Sequence, residues 1–144
     1  MQNFKVDRID KKVIVERIDI IQKSFKKLAE LKKLTSGRFM LSDNFAIAEH
    51  YLRYGLEATF DICAHILSRI PGAQVDEYKK MAVEMGRQKF VPMDFAKNTL
   101  TKMAGYRNRL THFYCEVTPK EMHKIIKNNL GDLKIFLKYI KRLL

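Results

Sequence analysis

Apolar residues recur every three or four positions along most of this chain, and little interrupts them. Ile14, Ile18, Ile21, Phe25 and Leu28 make one stripe between about Arg8 and Lys33, with Lys and Arg filling the opposite face. Six Gly and three Pro in 144 residues leave few turns, so the elements must be long. After a break at Thr35-Ser36-Gly37, the stretch from about 43 to 70 is apolar around most of its circumference through Phe45, Ala48, Leu52, Leu56, Phe60, Cys63, Ile66 and Leu67. That predicts a central helix, capped by Ser42 or Asp43 and ended by Pro71-Gly72. A shorter helix fits about 76 to 86, with Asp76 as cap and Gly86 as stop. Phe90-Val91-Pro92 leads into a fourth, about 93 to 114. Thr118-Pro119-Lys120-Glu121 reads as a capping box opening the last helix, whose stripe is Met122, Ile126, Leu133, Phe136, Ile140 and Leu143. Short links between long amphipathic helices predict an all-α, antiparallel up-and-down bundle of four or five helices, one domain over residues 1–144.

The charge balance points to the partner. Lys and Arg exceed Asp and Glu by 28 to 16, a formal net charge of +12, with a sequence pI near 9.8. Such a surface favours RNA, DNA or another polyanion. The N-terminus Met1-Gln2-Asn3-Phe4-Lys5 leads into charged residues without an apolar core, and no stretch is apolar for the length of a bilayer. A cytoplasmic protein is expected. Cys63 and Cys115 lack CxxC spacing, so two ordinary thiols are expected, with no metal site and no cofactor.

Two groups of polar residues stand out. On the second helix His50, Arg53, Glu57, Asp61 and His65 are spaced by three, four, four and four, and so share one side. That side is either a solvated face or a polar groove where two subunits or a substrate meet. Near the end of the fourth helix runs Arg107-Asn108-Arg109-Leu110-Thr111-His112-Phe113-Tyr114. Arg107 continues the apolar line of Ala96, Leu100 and Met103. A buried charge needs a partner, because breaking a buried pair costs about 3–5 kcal/mol, and Glu57 and Asp61 are candidate carboxylates. The pair either only orients helices or holds a reactive guanidinium. His112 lies about 140° further round an ideal helix, while Asn108, four residues before it, shares its face and can set the imidazole tautomer. His112 itself reads either as a cap on the helix dipole or as a proton-transfer group. If two copies meet across this helix, a two-fold axis brings two imidazoles and two guanidiniums together. Such a cleft suits metal-free RNA cleavage through the ribose 2′-OH.

The spacing Arg-x-x-x-x-His-x-Tyr, preceded by Met103-Ala104-Gly105-Tyr106, resembles the signature of HEPN ribonucleases, in particular the HepT-like toxin branch. Glu57-Ala58-Thr59-Phe60-Asp61-Ile62-Cys63-Ala64-His65-Ile66, Val91-Pro92 and Lys127-Asn128-Asn129-Leu130-Gly131-Asp132-Leu133 are similar to further blocks of that branch, so the likeness covers roughly residues 8–143. Tyr106 stands where Phe is usual, and Thr111 where an aliphatic residue is common. The resemblance implies a HEPN-like fold and a homodimeric, metal-independent endoribonuclease leaving a 2′,3′-cyclic phosphate. It implies Arg107 and His112 as catalytic residues, with Asn108, Glu57 and Asp61 in support. It also implies a toxin role, with a cognate MNT-type nucleotidyltransferase antitoxin that transfers AMP to Tyr114. The alternative is a non-catalytic HEPN subunit that binds nucleotide or RNA and serves its transferase partner.

Overall fold

The computed structural model describes residues 9–112 and 117–144. Helix α1, Lys11–Lys32, starts at Asp10, whose carboxylate accepts the backbone N–H groups of Lys12 and Val13. It packs along α3, Asn44–Leu67, the most deeply buried helix. Paired residues give the direction: the Asp10 N–H donates to His65 Nε2 at 3.0 Å, Arg17 Nε meets Asp61 Oδ2 at 3.0 Å, and Ser24 faces Gly55. One number rises as the other falls, so the two helices are antiparallel. They pack tightly at Gly55, where a Cβ would stand 3.0 Å from the Ser24 Cβ. A one-turn helix α2, Ser36–Phe39, lies between them and buries Phe39 against the ring of His123 at 4.7 Å. From its residues alone, Thr35-Ser36-Gly37 reads as a break between helices rather than as a helical turn.

Helix α4, Tyr78–Arg87, packs antiparallel on the next long element, with Tyr78 beside Arg107 at one end and Gly86 beside Ala96 at the other. That element begins after Pro92, as its sequence predicts, but it is not a uniform α-helix. Phe95–Leu100 is π-helical, with the Thr101 hydroxyl donating to the Ala96 carbonyl at 2.8 Å, before α5 runs over Thr101–Thr111. The last predicted helix is two, α6 Pro119–Asn129 and α7 Gly131–Lys141, separated at Leu130 where Asn129 and Gly131 are poor helix formers. Thr118 caps α6 through the Glu121 N–H at 3.1 Å with Pro119 in the first turn, as expected. The Glu121 carboxylate turns to Arg109 rather than back to Thr118, so only one arm of the capping box forms. The caps at α3 and α4 differ. Asp43 and Glu77 occupy the N-cap positions without a side-chain cap bond, while Asp76 pairs with Lys80 at 3.4 Å.

The buried side chains form one contiguous cluster drawing on every helix, with Phe39, Phe60, Phe136, Ile14, Ile21 and Leu56 among its largest fully buried members. All described elements are helical, which agrees with the predicted class. Among the described residues no helix is long and apolar enough to cross a membrane. Burial pushes the Cys63 thiol far above its ordinary value, so it is an inert core residue. Cys115 lies outside the described residues.

His65 couples the bundle to pH. Burial lowers its imidazole below the ordinary 6.5, Arg69 adds to the shift and Asp10 opposes it. Its Nε2 accepts from the chain at the start of α1, a role that a protonated ring cannot fill. Between the lowered value and 6.5 the unfolded chain binds more protons than the folded one, so stability is complete above 6.5 and declines as pH falls below it. Thermal unfolding between pH 7.5 and 5.5 is expected to show this decline. His65→Gln is expected to flatten it, and an unchanged slope would remove the assignment.

Candidate active site

The Arg-x-x-x-x-His segment occupies the last turns of α5. The π-helical stretch upstream adds residues to each turn, so the face that points inward shifts as the chain enters α5. Phe95, Ala96, Leu100, Met103 and Ala104 are buried, and the line opens to solvent from Gly105 onward. Arg107 is therefore half-buried at the rim rather than inside the core, beyond the burial that its apolar line predicts.

Its partner is an aromatic ring. The Arg107 guanidinium carbon lies 3.9 Å from the centroid of Tyr78, the first residue of α4. Tyr78 in turn stands edge-on to the fully buried Phe60 of α3 at 5.6 Å. The ring attracts the cation through its electron-rich face and takes none of its N–H donors. Asp61 does not fill the expected role: it pairs with Arg17 of α1, and this bridge is solvent-exposed. Glu57 sits half-buried on α3, and among the described residues Arg107 has no carboxylate within ion-pairing distance. The reason is geometric. Asp61 lies toward α1, where it meets Arg17, whereas Phe60, about 100° away at 3.6 residues per turn, meets Tyr78 of α4. Arg107 Nε is buried and, among the described residues, has no hydrogen-bond partner.

His112 is exposed and takes an extended backbone, φ −109° and ψ 103°, as the chain leaves α5. The Thr111 hydroxyl donates to the carbonyls of Arg107 and Asn108 at 3.2 and 3.1 Å, closing the helix end. Thr111, a departure from the aliphatic residue common in the branch, thus adds a hydroxyl contact to both carbonyls at the helix end. Asn108 is half-buried one turn earlier. Tyr114 lies outside the described residues. The structure brings Arg107 to Tyr78, separates it from Asp61, and places His112 at the helix end.

The polar row on α3 breaks into separate contacts. His65 holds the start of α1 and Asp61 holds Arg17. His50 stacks on Tyr54 at 5.7 Å beside a groove that also takes in Lys23, Lys26 and Lys27 of α1. Two residues of the site region are not singled out by the sequence analysis. One is Tyr78, whose position at a helix start gave no sign of a cation-binding role. The other is Glu121, whose two carboxylate oxygens accept from the Arg109 guanidinium across the gap between α5 and α6. Its place in a capping box accounted for it too readily. The hydrogen bonds from Arg109 hold the Glu121 carboxyl below its ordinary value. Among the described residues no three His, Cys, Asp or Glu side chains cluster in a way that could hold a metal ion.

Known proteins share this architecture. The tRNA nuclease HepT of Aphanizomenon flos-aquae (strain 2012/KM1/D3) is 23% identical over 133 residues, covering 92% of this chain and 90% of that protein. A tri-AMPylated Shewanella oneidensis HEPN toxin, solved in complex with an MNT antitoxin, superposes with a TM-score of 0.79 at 21% identity, covering 90% of this chain and 97% of that one. A chain of a toxin–antitoxin crystal structure with AMP-PNP superposes equally well, TM-score 0.79 at 20% identity, covering 91% of this chain and 98% of its own length. The family described as Ribonuclease HepT-like matches residues 21–140. With that match running over most of its length, the chain belongs to the ribonuclease HepT-like family.

Proposed function

We propose that this chain, acting as one HEPN-like domain over residues 1–144, is the ribonuclease toxin of a toxin–antitoxin module. Its active site is composite and forms where two copies meet, with Arg107 and His112 of each as the reacting groups. The observation that carries this reading is the Arg107 guanidinium held on the face of Tyr78 with no carboxylate beside it among the described residues. A structural arginine is normally neutralised by an acid. This one keeps its full charge and its planar set of donors, the chemistry that binds a phosphate. A buried, unsatisfied Nε is costly, by about 1–3 kcal/mol, and an incoming phosphate oxygen or a second chain supplies an acceptor.

In the composite cleft one His112 takes the proton from the ribose 2′-OH, and the resulting oxygen attacks the adjacent phosphorus. The other His112 gives a proton to the departing 5′ oxygen. Arg107 stabilises the charge that builds on the phosphate. Asn108 supports His112 from the preceding turn, and Glu57 lines the approach from α3. Asp61 acts only through Arg17. The products are a 2′,3′-cyclic phosphate and a 5′-hydroxyl, and DNA resists because it lacks the 2′-OH. The surplus of 28 basic over 16 acidic residues supplies the field that gathers RNA. Cleavage of tRNA by the Aphanizomenon relative is consistent with such a substrate. The site of action is the cytoplasm.

Purified chain incubated with RNA in excess EDTA is expected to cut it and leave cyclic phosphate ends, with activity abolished in Arg107→Ala and in His112→Ala. A folded dimer that cleaves no RNA would instead favour the non-catalytic subunit that binds nucleotide or RNA. The Tyr78 platform gives a finer test. Tyr78→Phe keeps the ring and is expected to retain activity. Tyr78→Leu removes about 1–2 kcal/mol of attraction, a loss of roughly 5- to 30-fold in kcat/KM. Equal activity of the two variants would exclude the platform.

Neutralisation follows the same chemistry. An MNT-type nucleotidyltransferase antitoxin transfers AMP from ATP to the Tyr114 hydroxyl, releasing pyrophosphate. The added phosphate places negative charge two residues from His112 in the chain, repelling RNA and blocking it by bulk. The AMPylated state of the Shewanella relative supports this assignment. Mass spectrometry after co-expression with the neighbouring transferase is expected to find AMP on the peptide containing Tyr114 and none in Tyr114→Phe. AMP on another residue would overturn it.

A further inference from the structure

We propose that Arg109 and Glu121 are positioning residues: their ion pair, bridging α5 and α6, sets where His112 stands. The placement is a claim about geometry, and only its effect on turnover rests on the nuclease reading above.

The pair ties together the two helix ends that flank the reactive part of the motif. Arg109 lies in the last turn of α5 and Glu121 in the first turn of α6, twelve positions apart, and the chain between them contains His112 and Tyr114. Both guanidinium ends donate, one to each carboxylate oxygen, the second at 2.8 Å. A fork-to-fork pair fixes relative orientation as well as distance, which a single lysine contact cannot do. The polarity suits both helices, with the cation at a C-terminus and the anion at an N-terminus. The neighbouring contacts fix the two helix ends. Thr111 closes the end of α5 onto the Arg107 and Asn108 carbonyls, Val117 is buried where the chain returns, and Thr118 caps α6 through the N–H of Glu121 itself. His112 is the first residue past the helix, three positions from Arg109. A change in the last turn of α5, which the pair anchors, therefore reaches it within one turn of helix. Catalytic rates are sensitive to such shifts, with about 1 Å of misplacement lowering a rate by roughly 100-fold.

The four histidines of the chain make the proposal readable without any assay of cleavage. Three have their own surroundings: His50 on Tyr54, His65 on the Asp10 N–H, and His123 on Phe39. In 1H–13C spectra of the full chain with labelled histidine, Arg109→Met and Glu121→Gln are each expected to move and broaden the His112 signals. The other three should stay in place, and the double variant should match the singles. On RNA, both singles are expected to lower kcat by roughly 10- to 100-fold with KM little changed. Glu121→Gln separates positioning from bulk electrostatics, since removing a negative charge that merely repelled RNA would lower KM and raise activity. Arg109→Lys, which keeps the charge but not the fork, is expected to fall between native and Arg109→Met, and it decides the question if Arg109→Met fails to fold. Unmoved His112 signals in both singles, or a rise in activity in Glu121→Gln, would overturn the proposal. A native chain that cuts no RNA would remove the nuclease reading, and the His112 spectra would still decide the clamp.

Discussion

The bundle is built on the close crossing of α1 and α3, where a Cβ added at Gly55 would stand only 3.0 Å from the Ser24 Cβ. Two helices come this near only where both residues are small. The approach brings Ile14, Ile18, Ile21 and Leu28 of α1 into register with the apolar side of α3. The same contact sets the direction of α3. Its remaining flanks then meet α4 and α5 on one side and α6 and α7 on the other. Phe60, on the first of those flanks, supports Tyr78, and Tyr78 carries Arg107. The position of the motif arginine is thus traceable through three contacts to the core.

Holding a cation on a ring rather than on a carboxylate has chemical consequences. An ion pair would fix Arg107 equally well but would spend its charge and its parallel N–H donors inside the protein. The quadrupole of Tyr78 attracts the guanidinium from one face and leaves its edge available. Arg109, two residues later, shows the opposite arrangement. Its fork is fully engaged by Glu121, as suits a residue that braces the structure. Two arginines in one helix end are therefore distinguished by their partners, not by their place in the sequence.

Much of this was legible in the residues. The stripe from Ile14 to Leu28 and the all-round apolar character from Ala48 to Leu67 foretold α1 and α3 to within a few positions, because burial needs that periodicity. Thr118-Pro119 marked the start of α6 correctly, since capping depends only on adjacent residues. Where the outcome depended on competition, the reading failed. The π-helical stretch Phe95–Leu100 has no residue that demands it and answers to packing on α4, where Gly86 meets Ala96. The row from His50 to His65 looked like one feature because its spacing is regular. Its members meet separate residues spaced along α1, from Asp10 opposite His65 to the lysines near His50, so the row is not one site.

Taken alone, the sequence determined the helical class, the strongly basic composition and the presence of Arg107, Asn108, His112 and Tyr114 at fixed offsets from one another. These follow from local periodicity and residue chemistry, which need no knowledge of distant contacts. Tertiary structure alone decided that Arg107 rests on Tyr78, that Asp61 belongs to Arg17, and that Glu121 braces Arg109. The reason is geometric. Spacing along a helix tells which side a residue occupies, while the helix that lies opposite is chosen by the packing of the whole core.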